Sequence, residues 1–165
     1  MQLKGTFLNN KTLITENDSK SWLIAKDYGE KKNKTLILDI YETLYFLEKG
    51  SLKLDKKQTF EGIIKKCKKE VIDNFAVFKH LRALGYVTKT GLKFGFDFRA
   101  YPKGKGLEKA HSKYVVWVVK EKQKISTNEL ARAVRMALGL NTSLLLAVVG
   151  DDLEVIFQEI NRVEL

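Results

Sequence analysis

The stretch Tyr114-Val-Val-Trp-Val-Val119 is apolar at every position, and it decides the fold of the second half of the chain. A strand that is covered on both faces has such a continuous apolar pattern, whereas a strand with one wet face alternates. A second run of this kind follows at Leu144-Leu-Leu-Ala-Val-Val149. The two runs therefore predict adjacent buried strands in a mixed central sheet of an α/β lobe.

A helix is predicted between these two runs. Ser126 and Glu129 form a capping box, which satisfies backbone N–H groups at the helix start. The residues expected to face inward are Leu130, Val134, Ala137 and Leu138, with Gly139 at the helix end. After the second run, Gly150-Asp151-Asp152 predicts a turn, and Leu153 to Ile160 predicts the last strand of a closing hairpin.

Upstream of the first run, apolar residues recur with period two. Leu92, Phe94, Phe96 and Phe98 alternate with polar residues or glycine, which predicts one strand with a single buried face. Tyr101 falls on the polar face of that strand, in phase with Asp97 and Arg99. The segment from Pro102 to Lys109 then predicts a basic loop.

The first half of the chain has a different pattern. Four short apolar pieces predict a small antiparallel sheet: Gly5–Leu8, Lys11–Ile14, Ser21–Ile24 and Thr35–Leu38. Asp39 and Glu42 predict a capped helix that ends before Gly50. A second helix is expected from about Gly62 to Leu84, broken near Cys67 and stopped by Gly85. Its basic run, Lys65 to Lys69, could contact phosphates, although a solvated helix face is the simpler interpretation. The expected domains are residues 1–84 and 85–165.

Composition favours a polyanionic partner. The 165 residues carry a formal net charge of +10, and clustered lysines gain free energy by releasing counterions from phosphates. Nucleic acid is the first candidate and anionic membrane the second, while a Lys-rich solvated surface is the alternative. The single cysteine excludes an intramolecular disulfide and predicts a reducing, cytoplasmic location. No apolar run approaches the ~20 residues that span a bilayer, and the start lacks a signal-peptide stretch.

The familiar catalytic motifs are missing. The sequence has no phosphate-binding P-loop and no nucleophile elbow, and its two histidines lie too far apart to suggest a zinc site, so no metal or cofactor is expected. Tyr101 is followed ten residues later by His111, across the loop that contains Lys103, Lys105 and Lys109. A base and an acid of these types suit RNA cleavage by an attacking 2′-hydroxyl. Taken alone, a strand-end aromatic and a loop or capping histidine are the simpler interpretation of the pair.

Several segments, in order, resemble the archaeal tRNA-intron endonucleases. The resemblance is carried by Phe75 to Tyr101, Ala110-His-Ser-Lys-Tyr114, Ala131 to Ala137, and Leu144 to Val149. It implies an α+β fold, in which a small N-terminal mixed α/β lobe precedes a C-terminal α/β nuclease-like lobe. It also implies metal-independent cleavage of precursor tRNA at bulge-helix-bulge junctions, leaving a 2′,3′-cyclic phosphate and a 5′-hydroxyl.

The resemblance assigns three catalytic roles. Tyr101 matches the family's base and His111 its acid, but the position of the lysine that stabilises the phosphate charge reads Thr142. No lysine follows Lys124 in the sequence. A shift of one or two residues in matching this chain to the family would therefore not supply the missing lysine. The resemblance therefore implies a structural subunit of a hetero-oligomer. Its expected protein partner is a catalytic endonuclease subunit, further copies of this chain in a dimer or tetramer, or both.

Other residues take roles from the same resemblance. Asp151 and Asp152 match a loop that docks into a basic pocket of a neighbouring subunit, although a solvated hairpin turn is the simpler alternative. The expected RNA contacts are Arg135 and Arg162 against a bulged adenine, and Lys103, Lys105 and Lys109 against phosphates. Two other functions stay open: an active homo-oligomer in which Lys93 or Lys103 supplies the cation, and a basic RNA-binding module without enzymatic activity.

Overall fold

The computed structural model describes residues 1–103 and 111–165. They form two compact units, Met1–Phe75 and Ala76–Leu165, and each contains a five-stranded sheet. The predicted fold class, mixed α/β with a mixed central sheet in the second unit, is confirmed. Within the described ranges, no helix is long and apolar enough to cross a membrane.

The N-terminal sheet contains five strands. They are β1 (Leu3–Leu8), β2 (Lys11–Ile14), β3 (Glu30–Lys32), β4 (Thr35–Leu38) and β5 (Leu52–Leu54), in the order β3-β4-β2-β1-β5. The antiparallel pairing predicted for the first 38 residues is confirmed for β1, β2 and β4, whereas β5, which lay outside that prediction, pairs in parallel with β1. The reason is that a helix lies between β4 and β5, and such a crossover allows parallel pairing.

The other secondary-structure elements of this unit are helices. They are α1 (Asn17–Ala25), α2 (Ile40–Glu48), α3 (Phe60–Ile64) and the beginning of α4 (Lys69–Ala83). The prediction of a strand at Ser21–Ile24 is wrong, because this segment belongs to α1. Ser19 and Leu23, four residues apart, are its buried positions, and that spacing is helical. The capping box of Asp39 and Glu42 at the start of α2 is confirmed.

The predicted break near Cys67 is also confirmed. α3 ends at Ile64 and α4 begins at Lys69, with turn hydrogen bonds from Lys66 N to Ile63 O and from Cys67 N to Ile64 O. The basic run therefore lies mostly in a connector between two helices. Its lysines are exposed, as the solvated interpretation expected, but the prediction that they share one helix face is wrong.

The C-terminal sheet is built around the apolar run that opened the sequence analysis. Its strands are β6 (Val87–Thr90), β7 (Phe98–Tyr101), β8 (Tyr114–Lys120), β9 (Ser143–Val149) and β10 (Val155–Ile160), in the order β10-β9-β8-β7-β6. β8 is central, as predicted, and β9 is its parallel neighbour. The helix between them, α5 (Thr127–Gly139), packs Ala133 and Ala137 into a buried cluster with Val115 and Leu144.

The long strand expected from Leu92 to Phe98 is wrong. Leu92–Phe94 form a single 3₁₀ turn, and Gly95 then takes the left-handed conformation with φ +75°. Leu92 is 77% exposed, so it does not continue the buried face of β7. The hydrogen bonds from Phe94 N to Gly91 O and from Gly91 N to Asp97 O fold this segment back on itself. The alternation of phenylalanines therefore reflects a turn followed by a short strand.

α5 begins as predicted but ends differently. Ser126 and Glu129 form the capping box, while Leu138 is 43% exposed and the prediction that it faces inward is wrong. The buried line runs through Ala133 and Ala137, and Leu138 lies about 100° further around the helix. Gly139 is the last helical residue, but the left-handed residue beyond the helix is Asn141, with φ +53°.

Two glycine-to-alanine changes should shift stability in opposite directions. Gly139 is helical and a Cβ there meets nothing within 4 Å, so Gly139→Ala should raise the free energy of unfolding by about 0.5–1 kcal/mol. Gly85 follows the end of α4 and has φ +88°, a conformation that alanine adopts at a cost. Gly85→Ala should therefore lower the free energy of unfolding by about 1–2 kcal/mol. Urea denaturation followed by circular dichroism measures both. Equal effects of the two changes would contradict the helix-end assignment.

Candidate active site

The end of β7 and the starts of β8 and β9 lie at one end of the C-terminal sheet. The register places Ala100 opposite Tyr114 and Tyr114 opposite Ser143. Lys113 joins the three strands through its backbone, since its N–H donates to Ala100 O at 2.8 Å and its carbonyl accepts from Ser143 N at 3.2 Å. Ala100, Lys113, Tyr114 and Ser143 thus form a row across the three strands. Tyr101 follows Ala100 in the chain, and Thr142 precedes Ser143. The parallel pair and its antiparallel neighbour therefore bring two of the predicted site positions to the same sheet end.

The end of α5 fixes the position of Thr142. Thr142 N donates to Ala137 O at 3.1 Å, and Asn141 N donates to Leu138 O at 3.0 Å. With Asn141 in the left-handed conformation, these two bonds make a Schellman motif, which closes a helix C-terminus. Thr142 is thus the residue between the helix end and the first residue of β9. Its place follows from the backbone and does not depend on its side chain.

The Thr142 side chain is buried, at 8% exposure, and its Oγ1 has no hydrogen-bond partner among the described residues. A threonine can donate a hydrogen bond, but it brings no charge. Leaving a buried hydroxyl unpaired costs about 1–3 kcal/mol, so this position is not optimised for stability. Folded proteins pair most of their buried polar groups, and an unpaired one is often found at a functional site.

Tyr101 shares a strand face with Arg99, as predicted, yet it is only 8% exposed. Arg99, two residues earlier on β7, covers its ring. Its guanidinium carbon lies 5.3 Å from the centre of the Tyr101 ring and 4.5 Å from the centre of the Phe94 ring. The cation and the two aromatic rings cover one another, as cation–π contacts do.

Arg99 also connects Tyr101 to the segment that carries His111. Its Nε and Nη2 donate to the hydroxyl of Ser112 at 3.3 and 3.2 Å, and Ser112 is buried. A permanent positive charge therefore lies beside Tyr101 and contacts Ser112, the residue that follows His111. Sequence reasoning missed this role, although residues i and i+2 of a strand share a face and Arg99 precedes Tyr101 by two.

The comparisons with known proteins cover both units. The model of the tRNA intron endonuclease catalytic C-terminal domain matches residues 71–157, and the model of the tRNA intron endonuclease N-terminal domain matches residues 3–64. The chain belongs to the tRNA intron endonuclease family. The resemblance noted in the sequence is thereby confirmed.

Relatives of similar length support the same assignment. A tRNA-splicing endonuclease of Pyrococcus furiosus is 38% identical over 143 residues, covering 83% of this chain and 82% of the relative. One of Thermococcus kodakarensis is 31% identical over 162 residues, covering 94% and 95%. One of Methanococcus vannielii is 32% identical over 164 residues, covering 95% and 92%. The prediction that the chain belongs to an endonuclease is confirmed at the level of the family.

The other residues expected at a tRNA intron endonuclease site are all exposed where the structure describes them. His111 is exposed and precedes Ser112, and Lys103 is exposed in the turn after β7. Arg162 follows β10, whose Ile160 pairs with Leu144, so Arg162 also lies at this end of the sheet. Arg135 is exposed on α5. Lys105 and Lys109 lie outside the described residues.

Lys93, one of the predicted sources of the cation, and Lys113 have different settings. Lys93 lies exposed in the 3₁₀ turn, so the expectation that it shares a strand face with Tyr101 is wrong. Lys113 lies in the row itself, where a hydrogen bond with the Tyr114 hydroxyl raises its pKa. That hydroxyl donates in turn to Glu159 Oε2 at 3.1 Å. Among the described residues, no three His, Cys, Asp or Glu side chains are grouped to hold a metal ion.

The acidic turn between β9 and β10 is exposed and locally bonded. Asp151 forms an ion pair with Lys122 at 2.7 Å, in which both side chains are at least 80% exposed. Asp152 Oδ1 accepts a hydrogen bond from Glu154 N at 3.0 Å, which shapes the turn. An ion pair this exposed contributes little to stability. The Asp151 carboxylate can therefore exchange Lys122 for another cation at small cost.

Proposed function

We propose that this chain is a subunit of a tRNA-intron endonuclease that cleaves precursor tRNA at bulge-helix-bulge junctions, and that it contributes assembly and RNA binding rather than a complete active site. The observation that carries the proposal is the neutral, buried Thr142 at the position where the family resemblance places a catalytic lysine. The proposed partner is a subunit that has lysine at this position.

The proposed chemistry needs three groups. A tyrosine removes the proton of the 2′-hydroxyl, whose oxygen then bonds to phosphorus and forms the 2′,3′-cyclic phosphate. The bond from phosphorus to the 5′-oxygen breaks, and a histidine gives its proton to that leaving oxygen. A cation stabilises the negative charge on the phosphorane oxygens, and loss of one such group costs about 2.7–4 kcal/mol. Tyr101 and His111 keep the first two roles available, whereas Thr142 lacks the third.

A specific observation also favours the rival function, an active homo-oligomer. Arg99 holds a permanent charge beside Tyr101 and next to the His111 segment, so it is a better substitute cation than Lys93 or Lys103, both of which are exposed. The third alternative, an RNA-binding module without cleavage, needs only the net charge of +10. Under every alternative, Arg135, Arg162, Lys103, Lys105 and Lys109 are the proposed RNA contacts.

Assembly is proposed to use the acidic turn and the edge of the sheet. The exposed Asp151 and Asp152 present two carboxylates at the tip of a hairpin, which fits a basic pocket on a neighbouring subunit. β10 lies at one edge of the described sheet, and its Ile156 is 64% exposed. An edge strand with exposed apolar residues invites pairing with another chain.

Cleavage of a bulge-helix-bulge precursor RNA in EDTA should require a mixture. The purified chain alone should give only a trace of product, and addition of a lysine-bearing catalytic subunit should give 2′,3′-cyclic phosphate ends. His111→Ala in this chain should leave the activity of the mixture unchanged, because the partner supplies the acid. Cleavage by the chain alone that His111→Ala abolishes would overturn the structural-subunit proposal, and Arg99→Gln would then test the substitute cation.

Restoring the charge should restore activity. Thr142→Lys should let the chain cleave by itself, with a rate increase of about 10²–10³ over the parent, since one stabilising group of this kind contributes that factor. Thr142→Met is the matched control, because it adds similar length without charge. The rates are measured under single-turnover conditions. A folded Thr142→Lys protein that is as inactive as Thr142→Met would show that more than the cation is missing.

Neutralising the acidic turn should weaken assembly. Asp151→Asn combined with Asp152→Asn keeps the turn-forming oxygen but removes two charges, and it should weaken association with the catalytic subunit tenfold or more, about 1.4 kcal/mol. Glu121→Gln combined with Glu154→Gln removes the same charge from nearby exposed positions and should have little effect. Sedimentation velocity measures both. Similar losses in the two variants would indicate general electrostatics instead of docking.

A further inference from the structure

The N-terminal unit contains a groove of about 590 Å³ that no role above uses. We call it the N-terminal groove, and it is lined by residues from β1, α2, α3, the start of α4 and the segments on either side of α3. Its volume is within the range of about 300–1,000 Å³ that small-molecule sites occupy. It is therefore large enough for one nucleotide.

The floor of the groove is apolar and includes an aromatic ring. Phe7 and Ile40 are half-buried, Ile63 is buried, and Val71 is half-buried. Phe7 is the aromatic residue of the lining, and an accessible ring of this kind is what an unstacked base packs against. The floor accordingly suits the flat face of a base.

One polar group in the lining lacks a partner. Gln58 lines the groove, and its Oε1 is buried without a hydrogen-bond partner among the described residues. A buried acceptor that the protein leaves unpaired is satisfied when a ligand brings a donor. The exocyclic amino groups of cytosine and adenine are donors of this type and project beyond the ring, whereas the only donor of uracil on this edge is its ring N3–H.

The rest of the lining is basic. Lys57, Lys66 and Lys68 are exposed, and none of the described residues that line the groove is acidic. Lys66 and Lys68 belong to the basic run whose helix-face interpretation the structure overturned. Because the chain leaves the helix at this run, two of its lysines are placed around the apolar floor. Ammonium groups in this position can contact the phosphates on either side of a base.

We propose that the N-terminal groove binds one unstacked nucleotide of a single-stranded RNA segment. The base lies against Phe7, its amino group donates to Gln58 Oε1, and the flanking phosphates contact Lys66 and Lys68. The choice of RNA rests on the proposed function, in which the partner is a precursor tRNA. An acidic peptide would use the lysines, and its backbone N–H groups could donate to Gln58 Oε1, but its carboxylate side chains would not pack against the Phe7 ring.

Binding of short oligonucleotides tests the recognition. Fluorescence anisotropy compares labelled oligocytidylate and oligouridylate of equal length, which differ in whether the base offers an amino group. The parent chain should bind oligocytidylate several-fold more tightly. Gln58→Leu should remove that preference while leaving oligouridylate binding unchanged. Absence of any preference in the parent chain would overturn the role of Gln58.

The lysines have a matched control. Lys66→Ala with Lys68→Ala should weaken binding of both oligonucleotides roughly tenfold and reduce the dependence of log K on log salt by about 0.7 for each lost phosphate contact. Lys4→Ala with Lys32→Ala removes two exposed lysines of the same unit that do not line the groove. That variant should bind almost as the parent does. Equal losses in the two double variants would overturn the groove as the site.

Cys67 reports on occupancy, because it lines the groove and is the only cysteine of the chain. Burial raises the pKa of its thiol, so alkylation is followed at mildly alkaline pH. Saturating oligocytidylate should slow alkylation severalfold. An unchanged rate would overturn the proposal, and so would protection that depends on protein concentration without RNA, since that result indicates a second copy of the chain in the groove.

This readout is independent of cleavage. If protection by RNA is seen while the mixture with a catalytic subunit fails to cleave, the groove stands and the proposed function fails. The groove is overturned, and the proposed function stands, if the mixture cleaves but two other results are negative. These are that RNA does not change the alkylation rate of Cys67, and that the Lys66→Ala, Lys68→Ala variant binds RNA as tightly as the parent chain.

Discussion

The parallel pairing of β8 with β9 is the constraint on which the C-terminal unit depends. Both strands are apolar nearly throughout, and their register runs from Tyr114 opposite Ser143 to Lys120 opposite Val149. Parallel neighbours need a crossover, so α5 must leave one end of the sheet and deliver the chain back to the other. The start of β8, the end of β7 and the start of β9 are therefore held at one sheet end.

In this arrangement, the backbone at that sheet end does not depend on which side chain stands at position 142. Position 142 is held by backbone hydrogen bonds of the helix end and by the pairing of the next residue, Ser143. A lysine and a threonine can both occupy such a position, because neither side chain takes part in closing the helix. The chain can consequently carry a threonine or a lysine at this position and keep the same sheet, edge strand and acidic turn.

Positive charge is distributed over more than one surface of the chain. Arg99 is half-buried between Phe94 and Tyr101, with two hydrogen bonds to Ser112, and it behaves as a fixed part of the sheet end. Lys66 and Lys68 are exposed around an apolar groove in the other unit. Charges of the first kind orient neighbouring groups, whereas charges of the second kind attract a polyanion and release counterions. The net charge alone does not distinguish these roles.

The sequence by itself determined the features that depend on neighbours a few residues apart. The capping boxes of Asp39 with Glu42 and of Ser126 with Glu129, the break near Cys67 and the buried runs of β8 and β9 could all be predicted. Tyr101 and His111 were candidates from the sequence itself, but only the resemblance assigned their roles and added Thr142, because spacing alone left those roles open.

Only the tertiary structure decided the features that depend on pairing between distant segments. These are the parallel β1–β5 pair, the turn that replaces the expected strand at Leu92–Phe94, and the contacts of Arg99 with Ser112. The unpaired Gln58 oxygen beside the basic connector belongs with them. A local pattern fixes which face of an element is apolar, whereas the packing of the whole chain decides what covers that face.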